Sequence, residues 1–429
     1  MNSTPNGPRD TGAGAPSTPT AKTPALSPAQ QAEVARHVAV IRRGVVDLIE
    51  ERELAGRVAT SLATKTPLRV KFGMDPTSPD LHVGHSVQLL KLRAIQELGH
   101  QIVLIVGDAT AMVGDPSGRN KLRPPLSRED VERNLQTYVD QVGHVLDVSK
   151  TEVRRNSEWF DRMGFHDVLK LASRMTVARM IERDTFQKRI ADNEPIGIHE
   201  FLYPLMQGWD SVMIRADLEL GGTDQLFNLL RGRDLQREEG QVGQICFTLP
   251  LINGLDGRKM SKSYGNSIQL TESATDMFGK VMSIEDGVMR SWFTLLTSVP
   301  DAEIDALLAG HPREAKARLA SEIAGFYHGR EAGVAARAAF DRQFRDKELP
   351  SDIPLVAWPA SAPSEGFTLM AFLKELGLAD STSDAKRLIE GGGVKLDGAV
   401  EKNPKFVVAR PSKELLVQAG KRKFARVQP

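Results

Sequence analysis

The pentapeptide Lys259-Met260-Ser261-Lys262-Ser263 gathers two ammonium groups and two hydroxyls on a loop flanked by Gly257 and Gly265. Donors held in place suit negative charge that develops on a departing pyrophosphate. The complement lies far upstream, in His82-Val83-Gly84-His85. These imidazoles follow a strand pattern over residues 68–75 (LRVKFGMD) and open a helix pattern that runs to about Leu98. Side chains beside the unpaired N–H groups of a helix start make an anion site. A His pair spaced i, i+3 is by itself an ordinary packing or surface feature. Taken with the pentapeptide, it requires a fold that carries both segments to one place, each supplying an element for attack at a nucleotide α-phosphate.

Working outward, strand and helix patterns alternate. Ile102–Val106 reads as a buried strand, followed by a GDPSG turn at residues 114–118. Ser127 caps an amphipathic helix to about Leu146, and an apolar, aromatic-rich helix spans roughly His199 to Ile214. A short strand at 216–220 leads to the GGTDQ loop (221–225) and a helix to about Glu239, and a strand at 245–252 leads into the pentapeptide. Short parallel strands with helical crossovers predict an α/β fold with a doubly wound, Rossmann-type parallel sheet. Ligands of such sheets sit at the carboxyl ends of the strands, where both motifs fall.

The 429 residues suffice for two or three domains. Residues 1–26 are rich in Pro, Thr, Ser, Gly and Ala and predict a disordered tail. Ser27-Pro28 with Gln30 carries the marks of a helix start. The expected division is a catalytic domain over 27–270, an all-helical domain over 271–348, a Pro-rich linker over 349–363 and a small α+β domain over 364–429. In the last, two short helices precede Gly391-Gly392-Gly393 and a hairpin that turns at Asp397-Gly398. With 41% hydrophobic residues and no long apolar run, no membrane span is expected. Cys246 is the only cysteine, so an intramolecular disulfide and a CxxC-type zinc site are excluded, and no protein-bound metal is expected. The absence of an apolar leader argues against secretion and for a cytoplasmic location. Net charge is +1, yet residues 364–429 carry 12 Lys+Arg against 8 Asp+Glu, which suggests a polyanion contact there.

The two motifs together resemble the signature of class I aminoacyl-tRNA synthetases. That resemblance implies a nucleotide site in which Thr77 and His82 bond the β- and γ-phosphates and His85 orients the nucleotide. Lys259, Lys262 and Ser263 would close over the pyrophosphate, and Arg119 and Arg123 would add positive charge. Gly73, Asp75, Gly84, Met260 and Ser261 complete the ATP-binding set. Over nearly its whole length after the tail, the chain resembles bacterial tyrosyl-tRNA synthetases. The residues most specific to that likeness lie in Tyr203-Pro-Leu-Met-Gln207-Gly-Trp-Asp210 and in GGTDQ. By similarity, Tyr203, Gln207 and Asp115 hold the α-amino group of L-tyrosine, Asp210 accepts its phenolic hydroxyl, Asp224 binds the adenylate ribose and Gln225 the amino-acid end. The i, i+4, i+7 spacing of Tyr203, Gln207 and Asp210 allows one helix face to carry all three. Two departures separate the chain from one well-known bacterial branch. Lys71 stands where that branch has a tyrosine that also bonds the substrate hydroxyl, and the KMSKS sequence is complete.

Residues 364–429 resemble the small RNA-binding fold first known in ribosomal protein S-four, which implies that Lys386, Arg387, Lys395, Lys421, Arg422 and Lys423 meet RNA phosphates. The resemblance further implies tyrosine–tRNA ligase activity with ATP as substrate and Mg²⁺ as its counter-ion, tRNA as partner and a homodimer. Three alternatives share parts of this pattern: a tryptophanyl-type synthetase, an HxGH nucleotidylyltransferase and a non-catalytic RNA-binding paralogue. The carboxylate at Asp210 favours a phenol, KMSKS disfavours the nucleotidylyltransferase, and a paralogue would not need the full activation set.

Overall fold

The structure, a computed structural model, describes residues 26–76, 81–117, 128–261, 264–344, 353–359, 362–420 and 423–429. Thr77, Arg119, Arg123, Lys262, Ser263, Lys421, Arg422 and nearly all of the N-terminal tail lie outside the described residues. The chain forms two compact units, one ending at Arg337 and the other starting at Ala338.

The first unit is built on six strands: β1 (Leu48–Ile49), β2 (Arg69–Met74), β3 (Gln101–Val106), β4 (Thr151–Arg155), β5 (Leu218–Gly222) and β6 (Ile245–Leu249). Their order is β1-β6-β5-β2-β3-β4, parallel throughout except for β1. The chain moves outward from β2 through β3 to β4, then returns to lay β5 on the other side of β2. The winding therefore reverses between β2 and β5. These two strands pair only at Val70–Leu218 and Lys71–Glu219, whereas β2 pairs with β3 along all six residues. Beyond Lys71 the two strands part, and a crevice opens at their carboxyl ends, where doubly wound sheets bind ligands.

Local sequence explains the frame. All of β5 and β6 is buried, as is β3 after Gln101, which fits strands covered on both faces. Helix Pro28–Arg42 starts with the expected capping box between Ser27 and Gln30. Helix Val83–Glu97 crosses from β2 to β3 and buries Val83, Val87, Leu89, Leu92 and Ile95, positions spread round most of its circumference, as in a helix enclosed within the unit.

Three boundaries differ from expectation. The strand before GGTDQ extends through Gly222, because both glycines sit in the sheet; only Thr223–Gln225 turn, as one 3-10 turn. The helix expected from His199 begins at Tyr203, after a separate 3-10 turn over Ile198–Phe201. The helices Ala274–Val281 to Pro312–His328 form no unit of their own, since Met289–Leu296 packs on Val83–Glu97 within the first unit. The expected domain border at 270/271 is thus not a border between compact units.

The second unit pairs β7 (Leu355–Ala357), β8 (Phe367–Thr368), β9 (Val394–Leu396), β10 (Ala399–Val400), β11 (Val407–Val408), β12 (Leu415–Ala419) and β13 (Lys423–Gln428) into a sheet of order β10-β9-β12-β13-β7 and a two-stranded β11-β8 ribbon. Helices Leu369–Glu375 and Thr382–Glu390 cover a core of Leu369, Phe372, Leu373, Ile389, Val394, Val417 and Val427. Asp397 and Gly398 take positive φ and turn the β9–β10 hairpin as expected. The linker reading of 349–363 is corrected for its second half. Leu355–Ala357 pairs in parallel with β13, and Trp358 packs on Phe367 and Phe372. A three-residue edge strand is too short to leave a periodic signal.

Candidate active site

Backbone pairing joins the two signature segments. Val83 N–H donates to Ile268 O at 2.9 Å, Leu270 N–H to Leu81 O at 3.3 Å, and His82 bridges Gln269. The chain just after the pentapeptide therefore runs alongside the His motif. Met260 is buried, and its Sδ lies above Gly84, where a Cβ would come within 3.4 Å of it and 2.9 Å of the His82 ring. Gly84 is thus the residue that lets the two segments close on each other.

His82 caps its helix in extended conformation, its N–H donates to His85 Nδ1 at 3.2 Å, and the two rings stack 3.8 Å apart. Burial lowers His82 to about pKa 4 and His85 to about 3, with His82 and Lys259 adding to the latter. Both rings are neutral near pH 7, so they act as hydrogen-bond groups and not as cations. His82 Nδ1 is buried without a hydrogen-bond partner among the described residues. Lys259 is exposed and its Nζ lies 4.0 Å from Asp224 Oδ2. Asn266 shapes the pentapeptide loop: its Oδ1 accepts from Ser261 N–H at 2.8 Å, and its Nδ2 donates to Asp256 and to Lys259 O.

Helix Tyr203–Ile214 brings Tyr203, Gln207 and Asp210 to the crevice. Tyr203 Oη donates to Asp75 Oδ2 at 2.7 Å, and Thr110 Oγ1 donates to Asp75 Oδ1 at 2.7 Å. Asp75, at the end of β2, is therefore tied to helix Tyr203–Ile214 more directly than its place in a nucleotide set suggested. Burial raises it to about pKa 7 against these two bonds. Asp115 accepts from Ser117 N–H at 2.8 Å and Gln225 Nε2 at 2.9 Å, while Asn228 Nδ2 donates to both Gln225 Oε1 and Gln207 Oε1. Asp115, Gln225 and Gln207 thus belong to one network. Asp224 is raised by burial. Gly73 lies in β2 with open space where a side chain would go.

Asp210 sits deepest, 3% exposed, with Oδ1 accepting from Trp159 Nε1 at 3.0 Å and Oδ2 from Asn156 Nδ2 at 3.5 Å. Burial raises it to about pKa 7, opposed first by the charge of Lys71. Lys71 is fully buried and contacts Gln207 O at 2.6 Å, Ser211 Oγ at 2.8 Å and Glu219 Oε1 at 2.9 Å.

Sequence reasoning did not find Asn156, Trp159, Asn228, Glu219, Arg183 or Asn266. Asn156 directly follows β4, so the carboxyl-end rule points to it. Glu219 is a charge inside an otherwise apolar strand, itself a signal. Arg183 left none. Its guanidinium is buried 3.6 Å from Asp115 Oδ1 and 5.8 Å from the Phe186 and Phe227 ring centres, and among the described residues neither Nη atom has a hydrogen-bond partner.

Of the expected RNA-facing residues, Lys386 and Arg387 are exposed on helix Thr382–Glu390, Lys395 is half-buried in β9, and Lys423 is exposed at the start of β13. Lys386 pairs with Glu390 and Arg387 with Asp384, exposed pairs that contribute little. Among the described residues no cluster of three His, Cys, Asp or Glu side chains could hold a metal, and no helix is long and apolar enough to cross a membrane.

Comparison with known proteins agrees with this geometry. Residues 63–345 match the family described as tRNA synthetases class I (W and Y), and residues 368–412 match the S4 domain. A tyrosine–tRNA ligase of Burkholderia lata is 51% identical over 92% of this chain and 95% of its own length. One from Moorella thermoacetica is 48% identical over 92% and 96%. Among solved structures, a truncated mitochondrial tyrosyl-tRNA synthetase of Aspergillus nidulans shares the fold with a TM-score of 0.62 at 22% identity, covering 74% of this chain and 98% of its own. A tyrosyl-tRNA synthetase of Archaeoglobus fulgidus does so with 0.55 at 21%, covering 71% and 99%. The paired His and KMSKS segments, the carboxylate-bearing helix and these relatives lead to one conclusion: the chain belongs to the tyrosine–tRNA ligases, class I aminoacyl-tRNA synthetases that join tyrosine to its tRNA.

Proposed function

We propose that the crevice between β2 and β5 performs both half-reactions of this ligase with the residues named above. Tyrosine enters with its phenol toward Asp210 and its ammonium toward Tyr203, Gln207 and Asp115, while Gln225 meets its carboxyl end. ATP lies across the carboxyl ends of the strands, its ribose at Asp224 and its phosphates between His82, His85 and the KMSKS loop. The tyrosine carboxylate attacks the α-phosphorus, the bond to the β-phosphate oxygen breaks, and pyrophosphate leaves with Mg²⁺ as its counter-ion. Little covalent help is needed; alignment and charge stabilisation carry the step. Lys259, Lys262, Ser263 and Thr77 meet the charge on the leaving group, and Arg119 and Arg123 add to it. A ribose hydroxyl of the tRNA 3′-terminal adenosine then attacks the acyl carbon and releases AMP.

The observation that carries this reading is the backbone pairing of residues 81–83 with 268–270, which holds the His and KMSKS motifs together at the point where the sheet reverses. The residues from about 364 onward serve as the RNA-binding domain, with the exposed Lys386, Arg387 and Lys423, the half-buried Lys395, and Lys421 and Arg422, as its phosphate contacts. The segment between β4 and helix Tyr203–Ile214 exposes the apolar side chains of Phe165 (75%), Val177 (64%) and Ile198 (85%), which suit a homodimer contact. A cytoplasmic location follows from the work the enzyme does.

Calorimetry with non-hydrolysable sulfamoyl analogues of the aminoacyl adenylates tests the site. The tyrosyl analogue is expected to bind far more tightly than the tryptophanyl or phenylalanyl one. Equal or tighter binding of the tryptophanyl analogue would overturn the assignment of Asp210.

A further inference from the structure

Lys71 is the residue by which this chain departs from the better-known pattern, and its surroundings give it a role. We propose that Lys71, paired with Glu219, is a positioning residue for substrate discrimination: it clamps helix Tyr203–Ile214 at Gln207 and Ser211 and supplies the counter-charge behind Asp210. The proposal rests on the reading that Asp210 accepts the substrate phenol.

Lys71 and Glu219 face each other as the last rung joining β2 to β5, where the crevice begins. Both are buried, Lys71 at 0% and Glu219 at 1% exposure. The ammonium reaches Gln207 O (2.6 Å) and Ser211 Oγ (2.8 Å), one helical turn apart, and Asp210 lies on the turn between them. Ser211 Oγ donates onward to Glu219 Oε2 at 3.1 Å, and Gln244 Nε2 donates to the same oxygen. The helix that bears the phenol-reading carboxylate is thus tied to the sheet through one buried cation.

The enclosure is built into the backbone. A Cβ on Gly232 would strike Ser211 Oγ at 2.8 Å and Gln244 Nε2 at 2.7 Å, and one on Gly208 would come within 2.9 Å of Gly232 N. Helices Tyr203–Ile214 and Leu226–Glu238 therefore pack closely over the pair and keep it from water. Stability alone does not account for such a pair. Each buried ion loses several kcal/mol of hydration, approximately, and apolar replacements of similar volume are often neutral or stabilising.

What the pair supplies is position and potential. Among the described residues, the charged or titratable groups that act most on Asp210 are Lys71 from β2, Glu219 from β5 and, on its own helix, Tyr203; its direct partners Asn156 and Trp159 are neutral. Lys71 is the cation in that set. Burial has already brought Asp210 to about pKa 7, so removal of Lys71 makes it a neutral carboxyl over more of the physiological range.

The test compares Lys71→Met, Glu219→Gln and the double variant in ATP–pyrophosphate exchange with tyrosine and phenylalanine across pH 5.5 to 9, roughly the span over which a group near neutrality titrates. Lys71→Met should move the acid limb of kcat/KM for tyrosine upward. It should lower that constant about fivefold at pH 7, for a one-unit shift, and narrow the preference over phenylalanine. Glu219→Gln should move the limb downward. The double variant, with no buried charge left unpaired, should regain the wild-type unfolding midpoint but not the wild-type preference. A merely structural pair predicts recovery of both, and that recovery would overturn the proposal. So would an unchanged acid limb and preference in folded Lys71→Met. Asp210→Asn run in parallel separates the two levels. If it narrows the preference while the Lys71 variants keep it, only this proposal fails; if it too keeps the preference, the phenol reading fails with it.

Discussion

Asp210→Asn probes the proposed phenol contact at a site where the geometry limits the outcomes. Asp210 presents Oδ1 to the Trp159 indole N–H at 3.0 Å and Oδ2 to the Asn156 amide at 3.5 Å, so both fixed partners are donors. An asparagine offers one acceptor oxygen and one NH₂, and in either orientation the NH₂ meets a donor already in place. The substrate hydroxyl also loses its charged acceptor. A hydrogen bond to a charged group contributes about 1.5–3 kcal/mol, which corresponds to roughly a 10- to 150-fold change in rate constant. The kcat/KM for tyrosine should fall by that factor, and that for phenylalanine, which has no hydroxyl to lose, should change far less. A site built around a hydroxyl discriminates through its own unsatisfied polar group, so the preference should narrow by the same factor. Pyrophosphate exchange with the two amino acids measures it. A folded variant whose preference equals that of the wild type would refute the reasoning.

Deleting residues 353–429 should leave pyrophosphate exchange largely intact and abolish most tRNA charging, because the activation residues precede residue 270 and the basic excess lies after 364. Charging by the full-length chain should weaken steeply with added salt, as phosphate contacts do; a truncated chain that charges normally would reduce the second unit to a structural role. His100 offers a stability test. Burial lowers it to about pKa 4, with His37, 3.0 Å from it, adding to the shift, so the unfolded chain takes up the proton first. Folding stability should therefore fall as pH drops from about 6.5 toward 4, and His100→Gln should flatten that slope in urea unfolding.

The legible parts of this molecule are those whose chemistry is local. The Ser27–Gln30 capping box, the Asp397-Gly398 hairpin and the run Gln101–Val106 each determine their structure within a few residues. The His and KMSKS segments are legible because few other uses require those residue types in that arrangement. What escaped depends on contacts between distant segments. Leu355–Ala357 is a strand only because β13 lies beside it. Asn156 and Trp159 become partners of Asp210 only when β4 brings them to helix Tyr203–Ile214, 54 and 51 positions away from Asp210. Lys71 stood out as a departure, but its meaning came from Glu219, which the parallel register sets opposite it across 148 residues of chain.

The most direct test of the account is ATP–pyrophosphate exchange by the full-length chain with each of the twenty amino acids in turn. Rapid exchange is expected with tyrosine, far slower exchange with phenylalanine and tryptophan, and none above background with the others. Exchange that is fastest with tryptophan, or that proceeds without any amino acid, would contradict it.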